Sequence, residues 1–325
     1  MFKNIIRSLI LMIMRSSILV GGQAVINGVM MRVPGAYSTA VRLTDGTIKV
    51  KSVPFESINQ KKKYEKIPII RGAIGLYEAM KIGYSTLNWS ASMAEDTKEE
   101  SSPFLESVMN LIAILFAISL FILTPIFITK FIIPTTEAIN FNVIAGAIRI
   151  SIFIAYLLII SLLKDVQTLF QYHGAEHKTI FTFENGLDLS YTNTQKFKKE
   201  HPRCGTSFLF IVMIVSIFSF SILDSLAIII LQLNELPTLG RLIIHLTCLP
   251  LVAGFSYEVL KFLAKHMDKN NVIKLFCLPG LLLQKITTKE PNKEQLEVAF
   301  ESLKTAFGDR YDTLKGNKYK ADAIG

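Results

Sequence analysis

Three of the chain's five histidines lie in one polar stretch between two very apolar segments, as His173-Gly174-Ala175-Glu176-His177 and then His201-Pro202-Arg203-Cys204. The first group reads H-x-x-E-H. On a helix, positions 173 and 177 stand one turn apart on one face, so both imidazoles can reach a single ion. Glu176 beside them is then placed as a general base, the arrangement of the inverted zinc-peptidase motif. Such a site needs a third ligand. His201 and Cys204 are candidates, because antiparallel packing of the flanking apolar segments would return both ends of the stretch to one surface. Cys204 would also sit at the start of a helix, where the dipole favours the thiolate that binds metal. Glu258 is the other candidate, since the inverted motif takes a downstream carboxylate. The cofactor this implies is a divalent metal, zinc in the first instance. Two features pull the other way. Gly174 costs a helix about 1 kcal/mol, and Glu176 could orient a ligand histidine from outside the ligand set instead of doing chemistry. Arg203 and Lys178 beside the motif read as lipid-phosphate contacts or as ordinary positive charge at a membrane edge.

The elements that must hold these residues are set by hydropathy. The chain has 325 residues, half of them hydrophobic, and a mean hydropathy of +0.41. Its apolar residues form blocks near 107–132, 142–163, 207–233 and 240–262. Each supplies the roughly 20 residues a bilayer core requires, and only helices satisfy their own backbone there. The reading is a mainly α integral membrane protein, with about four transmembrane helices in 104–266. Arg149, inside the second block, must snorkel or find a partner. The stretch 164–206 and the region after the fourth block are rich in Lys and Arg, which puts both in the cytoplasm. The connections near 133–141 and 234–239 carry Glu137 and Glu235 and no cation, with Lys130 and Arg241 at their edges. An even number of spans leaves the N-terminal region, the histidine stretch and the C-terminus on the cytoplasmic side of the cell membrane. The formal charge of +9 is thereby accounted for by topology and by attraction to lipid headgroups. Membrane lipids are the expected partners and nucleic acid is not. Nothing in the sequence bears on oligomeric state. Cys204 and Cys277 fall on the reducing side and Cys248 in lipid, so the cysteines imply no disulfide.

Residues 1–20 read as an interfacial amphipathic helix, too short to span. Residues 21–103 read as a small cytoplasmic α+β module. Strands are expected at 25–32, 37–43 and 47–53, the last two joined by an Asp45-Gly46 turn. A helix near 69–90 follows, ending at Trp89, and 95–102 is a polar linker. No glycine spacing suits a phosphate loop. In 267–307, a surface-lying segment around Pro279-Gly280 precedes an amphipathic helix with Leu296, Ala299, Phe300 and Leu303 on one stripe. That helix is expected to dock on the cytoplasmic module, which could also bind a protein partner. The last residues, 308–325, are polar and expected to be disordered.

A second polar pair lies deeper. Along ideal helices Asp224 and His245 reach a similar depth near the outer leaflet, at about 1.5 Å per residue. They could form a transport pathway or simply a buried hydrogen bond between two spans.

Three motifs, Gly-Gly-Gln-Ala-Val-Ile-Asn-Gly-Val-Met-Met-Arg at 21–32, Tyr-His-Gly-Ala-Glu-His-Lys-Thr-Ile at 172–180 and His-Pro-Arg-Cys-Gly-Thr-Ser-Phe at 201–208, resemble the YqhQ-like bacterial membrane family over about residues 20–305. That family is a domain of unknown function described as a predicted metal-dependent enzyme, so the resemblance implies a metal site and assigns no reaction. By its motifs Asn27, Arg32 and Arg203 would support the site or a partner. The chain departs from the family pattern at Asn27, where Glu is usual, and at Val33, where Gly usually follows Arg32. A catalytic or metal-binding role for that Glu would not carry over.

Three functions are consistent with these residues. The first is a membrane-anchored metal-dependent hydrolase, acting on a peptide or lipid-linked substrate through Glu176. The second is a non-enzymatic scaffold or membrane-protein biogenesis factor, with a structural His/Cys cluster. The third is a transporter using Asp224 and His245.

Overall fold

The structure, a computed structural model, describes residues 20–94, 102–133, 138–266 and 271–319. The helix expected within 1–20 and nearly all of the linker at 95–102 lie outside the described residues. Four antiparallel strands form a meander in the order β1 (Gly21–Val25), β2 (Gly28–Val33), β3 (Ala36–Arg42) and β4 (Ile48–Pro54). The sheet thus has one strand more than expected. The stretch 25–32 is not a single strand but spans a turn at Ile26 and Asn27, and Asn27 takes φ 50°. Asparagine tolerates that left-handed backbone, and glycine follows it. Between β3 and β4 the expected Asp45-Gly46 turn is present, with the Asp45 carboxylate accepting from Thr47 N at 2.9 Å.

β2 is buried on both faces, which is why it reads Gly-Val-Met-Met-Arg-Val with little alternation. Val29, Met31 and Val33 face a core built with Tyr172, Ala175, Phe183, Leu296 and Leu303. Met30, with Val25 and Val41, packs against Ile82 of helix α1 (Ile70–Ala94). Five of the core residues named come from far along the chain, and two of those, Leu296 and Leu303, lie on the C-terminal amphipathic helix Lys293–Phe307. That helix opens on a capping box in which Asn292 and Gln295 exchange side-chain and backbone hydrogen bonds. The Ser302 hydroxyl donates to the Ser38 carbonyl, 2.9 Å, fixing helix to sheet. Residues 308–319, expected to be disordered, continue this body. A turn of helix, Arg310–Leu314, is followed by Tyr319, whose ring stacks 5.3 Å from that of Phe183 and whose N–H donates to the Glu184 carbonyl. Two tyrosines in a polar segment supply the apolar area that composition alone conceals.

The apolar blocks become α2 (Pro103–Ile118), a π-helical segment Ser119–Leu123, α3 (Thr124–Lys130), α4 (Ala138–Ile160), α6 (Gly205–Ile230) and α7 (Thr238–His266), with α5 (Lys164–Glu184) between α4 and α6. Among the described residues, four stretches are long and apolar enough to cross a membrane: Ser107–Lys130, Ile139–Ile160, Gly205–Ile230 and Thr238–Leu263. The π-helical segment has a local cause. Pro125 has no N–H to offer the Phe121 carbonyl four residues back, and Arg149 of α4 donates its Nε to that oxygen at 2.8 Å. The in-span arginine thus satisfies the group that the proline orphans. After α7, helix α8 (Asn271–Thr287) exposes Val272, Leu275, Phe276 and Leu282 on one side. On the other side Gly280 backs onto Ser207 of α6, where a Cβ would come within 2.9 Å of the Ser207 side chain. Lys293–Phe307 is accordingly α9, and Arg310–Leu314 is α10.

Candidate metal centre

The H-x-x-E-H stretch lies in the middle of α5, with Asp165 in its first turn complementing the helix dipole. Gly174 is tolerated within that helix because another segment needs its space. A Cβ there would come 2.0 Å from the Lys289 carbonyl oxygen, on the chain that leaves α8 and crosses α5 with a Lys289 N–H to Phe170 O bond of 2.8 Å.

His173, His177 and Cys204 each present a ligand atom, and the three atoms lie within 4.8 Å of one another. His173 Nδ1 lies 2.8 Å from the Thr287 carbonyl, and His177 Nδ1 lies 2.5 Å from the Lys199 carbonyl. A carbonyl oxygen only accepts, so both Nδ1 atoms carry the proton and both Nε2 atoms keep their lone pair. His173 Nε2 points that lone pair at Cys204 Sγ, 3.2 Å away. This is how metal-binding imidazoles are held, with the outer nitrogen donating to a backbone oxygen. Cys204 is the N-cap of α6, its sulfur accepting from Thr206 N at 3.5 Å. Two imidazole nitrogens and a cysteine sulfur gathered in this way are a donor set of the kind that takes a divalent metal such as zinc.

Glu176 is buried, and its Oε2 has no hydrogen-bond partner among the described residues. Burial pushes its carboxyl up to about 7, His173 opposing. Its Cγ and Cδ lie where a side chain on Gly22 would otherwise come, 3.1 Å from a Cβ built there. The carboxyl therefore rests directly behind β1.

Two expected ligands are elsewhere. His201 is buried next to His177, ring centroids 5.4 Å apart, but its two nitrogens face Arg203, at 3.3 Å from the Arg203 backbone N and from its guanidinium. Burial first, then the neighbouring His177, Arg203 and His173, hold its pKa well below the ordinary histidine value, so it is a neutral wall of the site. Its backbone is clamped by Gln284, which accepts from His201 N at 2.7 Å and donates to His201 O at 2.8 Å. Glu258 is taken by Arg71 at the start of α1, with bonds of 2.7 and 2.5 Å, because a carboxylate at a span end needs a cation and this one is in reach. Arg203 pairs instead with Glu184, both nearly buried. Arg32 pairs with Glu78 and lies over the Phe55 ring. Asn27 is a turn residue, five positions along the chain from Gly22, the residue against which Glu176 packs.

Asp224 and His245 do meet, at 3.1 Å. Sequence reasoning missed the rest of that cluster. Asp224 also accepts from Asn142 at 2.8 Å and pairs with Arg241 Nε at 3.3 Å, and the Arg241 guanidinium lies 3.7 Å over the Phe141 ring. Arg241 reads from sequence as a span-edge cation, yet it is fully buried. A glycine-flanked position at a span boundary gives no hint of an aromatic partner on another helix.

Residues 67–309 match the family described as a protein of unknown function, DUF1385. The chain belongs to this family. It is also 33% identical over 297 residues to the "Uncharacterized protein YqhQ" of Bacillus subtilis (strain 168), covering 87% of this chain and 90% of that one. No solved structure matches it. His173, Glu176, His177 and Cys204 all fall inside the family match, while β1 to β4 precede it.

Proposed function

We propose that the protein is a multi-pass protein of the cell membrane with both termini in the cytoplasm, carrying a zinc site formed by His173, His177 and Cys204, and that it is a metal-dependent hydrolase. The observation that carries the reading is the convergence of three donors whose imidazoles are already fixed, by bonds to the Thr287 and Lys199 carbonyls, in the ligating tautomer. An ion held there would act as a Lewis acid toward a carbonyl or phosphoryl oxygen. Glu176 supplies the proton transfer: a carboxyl at about 7 both accepts and returns a proton near neutral pH. The neutral His201 and the surrounding aromatic side chains keep water and competing charge away. Arg203, held by Glu184, closes the outer side.

A second reading, a zinc staple in a non-enzymatic scaffold, is favoured by one feature. The donors join α5, the start of α6 and, through Thr287, the end of α8, so a metal would tie three elements together. Asp224, satisfied by Asn142, Arg241 and His245, supports a lock between spans more than a transport pathway.

The deciding experiment is metal content of the detergent-purified protein by elemental mass spectrometry. It is run beside His173→Ala/His177→Ala and Glu176→Gln and followed by a hydrolase screen on peptide and lipid-linked substrates. The hydrolase reading requires about one zinc per chain, lost in the double variant, and a turnover that Glu176→Gln abolishes while retaining the metal. Zinc with function intact in Glu176→Gln leaves the staple, and absence of stoichiometric metal removes both.

A further inference from the structure

On the far side of Gly22 from Glu176 lies an open cavity of about 770 Å³, lined by residues of the sheet, α1, the stretch 55–66 and the end of α7. That volume falls in the range of small-molecule sites. Its walls divide by chemistry. Met30, Phe55 and Ile82 supply an apolar floor, while Arg32, Lys66, Arg71 and Lys261 stand around it. Against these four cations the lining holds one carboxylate, Glu78, which is already engaged by the Ser57 hydroxyl, the Ile58 N–H and Arg32. Glu258 lies behind Arg71. Among the described residues the cations thus exceed the carboxylates Glu78 and Glu258 by two, and guanidinium and ammonium groups together are the donors that phosphate oxygens take.

The location narrows the ligand further. Tyr257 and Lys261 belong to the last turns of the membrane-length stretch Thr238–Leu263. α1, which forms one wall through Gly75, Glu78 and Ile82, exposes Ile70, Tyr77, Met80, Tyr84 and Leu87 on its opposite side. An apolar stripe there and a basic chamber behind it place the cavity at the headgroup level of a bilayer. We infer that this cavity is a binding site for the phosphate-bearing headgroup of an anionic lipid, with the first part of the acyl region against Met30, Phe55 and Ile82. The inference rests on the membrane reading above and is independent of the metal.

Gly75 makes a clean test. A side chain there meets nothing within 4 Å, so Gly75→Leu projects into the cavity without displacing the fold, and leucine is the better helix former. Full-length protein in detergent would be titrated with short-chain phosphatidylglycerol, phosphatidylcholine of the same chains, and glycerol 3-phosphate, with binding read by native mass spectrometry. The expected result is one phosphatidylglycerol per chain in preference to phosphatidylcholine. Binding should weaken about thirtyfold in Lys66→Ala/Lys261→Ala and vanish in Gly75→Leu with an unchanged melting temperature. Equal binding of the two lipids, or phosphatidylglycerol retained by Gly75→Leu, overturns the site. Glycerol phosphate binding as tightly as the lipid overturns the lipid and leaves a soluble phosphate ester as ligand. Carbonate washing of membranes from the same cells separates the premises. Release of the chain overturns the membrane reading, whereas a retained chain with no lipid preference overturns only the cavity assignment.

Discussion

Gly174 decides whether the candidate metal ligands can be where they are. The Lys289 carbonyl passes 2.0 Å from where its Cβ would be, so Gly174→Ala must push the 288–291 segment away from α5. Alanine returns about 1 kcal/mol of helix propensity, but overpacking against rigid backbone costs about 1–3 kcal/mol, and the Lys289–Phe170 bond is lost as well. A net fall of about 2 kcal/mol is expected, read as a lower melting temperature in detergent, together with weaker zinc retention because the Thr287 carbonyl that orients His173 moves too. Glu176 gives a second prediction at this scale. Its carboxyl stands at about 7 in the fold against 4.5 for an ordinary glutamate, so the folded state holds the proton more tightly. The associated stability is fully present below pH 4.5 and disappears as pH rises through 7. In chelator-stripped protein, denaturant titrations at pH 5 and pH 8 should differ by on the order of 3 kcal/mol from this group, and Glu176→Gln should flatten the difference. Much of this was legible in sequence. H-x-x-E-H puts His173 and His177 on one helix face, and Cys204, the cysteine before an apolar helix, is the candidate that the fold brings to them. His201 and Glu258 could not be ruled out that way, because their partners, Gln284 and Arg71, sit 83 and 187 residues away.

Among the helices, the break in the first apolar stretch and the arginine in the second explain each other. Pro125 removes the donor for the Phe121 carbonyl, and Arg149 Nε replaces it across the helix pair. Arg149→Met should therefore leave an unpaired carbonyl in an apolar setting and cost about 1–3 kcal/mol. Pro125→Ala alone should cost little, since its new N–H competes for an oxygen already bonded. In the double variant that N–H closes the helix onto Phe121, and most of the Arg149→Met loss should be recovered. Melting temperatures of the four proteins form the cycle, and strict additivity would show that the two residues are uncoupled. The spans themselves are plain from length and hydropathy. The partner of Arg149 is not, because it is a main-chain oxygen freed by a proline 24 residues earlier. Likewise β1 escaped notice because Gly21 and Gly22 have no side chains with which to announce a strand; at Gly22 a Cβ would come 2.4 Å from the Met30 carbonyl oxygen and 3.1 Å from Glu176.

Across the whole molecule, one packed body is assembled from three parts of the chain: the sheet at the start, α5 in the middle and α9 at the end. Between the first and last stand all four membrane-length stretches, so the body closes only if an even number of crossings returns α9 to the side of the sheet. The amphipathic pattern of α9 and the charge distribution both point to that topology in sequence, while the identity of the docking face does not emerge until the register of β2 is known. Leu296 and Leu303 are fully buried against that strand, and burying large aliphatic side chains is worth about 1.5–3 kcal/mol each. Ending the chain at residue 288 removes α9 and everything after it, leaving Val29, Met31 and Val33 uncovered while α6 and α7 keep their own core of Ile211, Val215, Phe220 and Val252. Limited proteolysis of membranes should then cut the truncated protein within 20–54, where the full chain resists, with the four apolar stretches still protected in both. Equal resistance of the two would mean that α1 and α5 alone hold the sheet. Cleavage inside the apolar stretches of the truncated form would mean that the α9 contact is needed for the helices to insert at all.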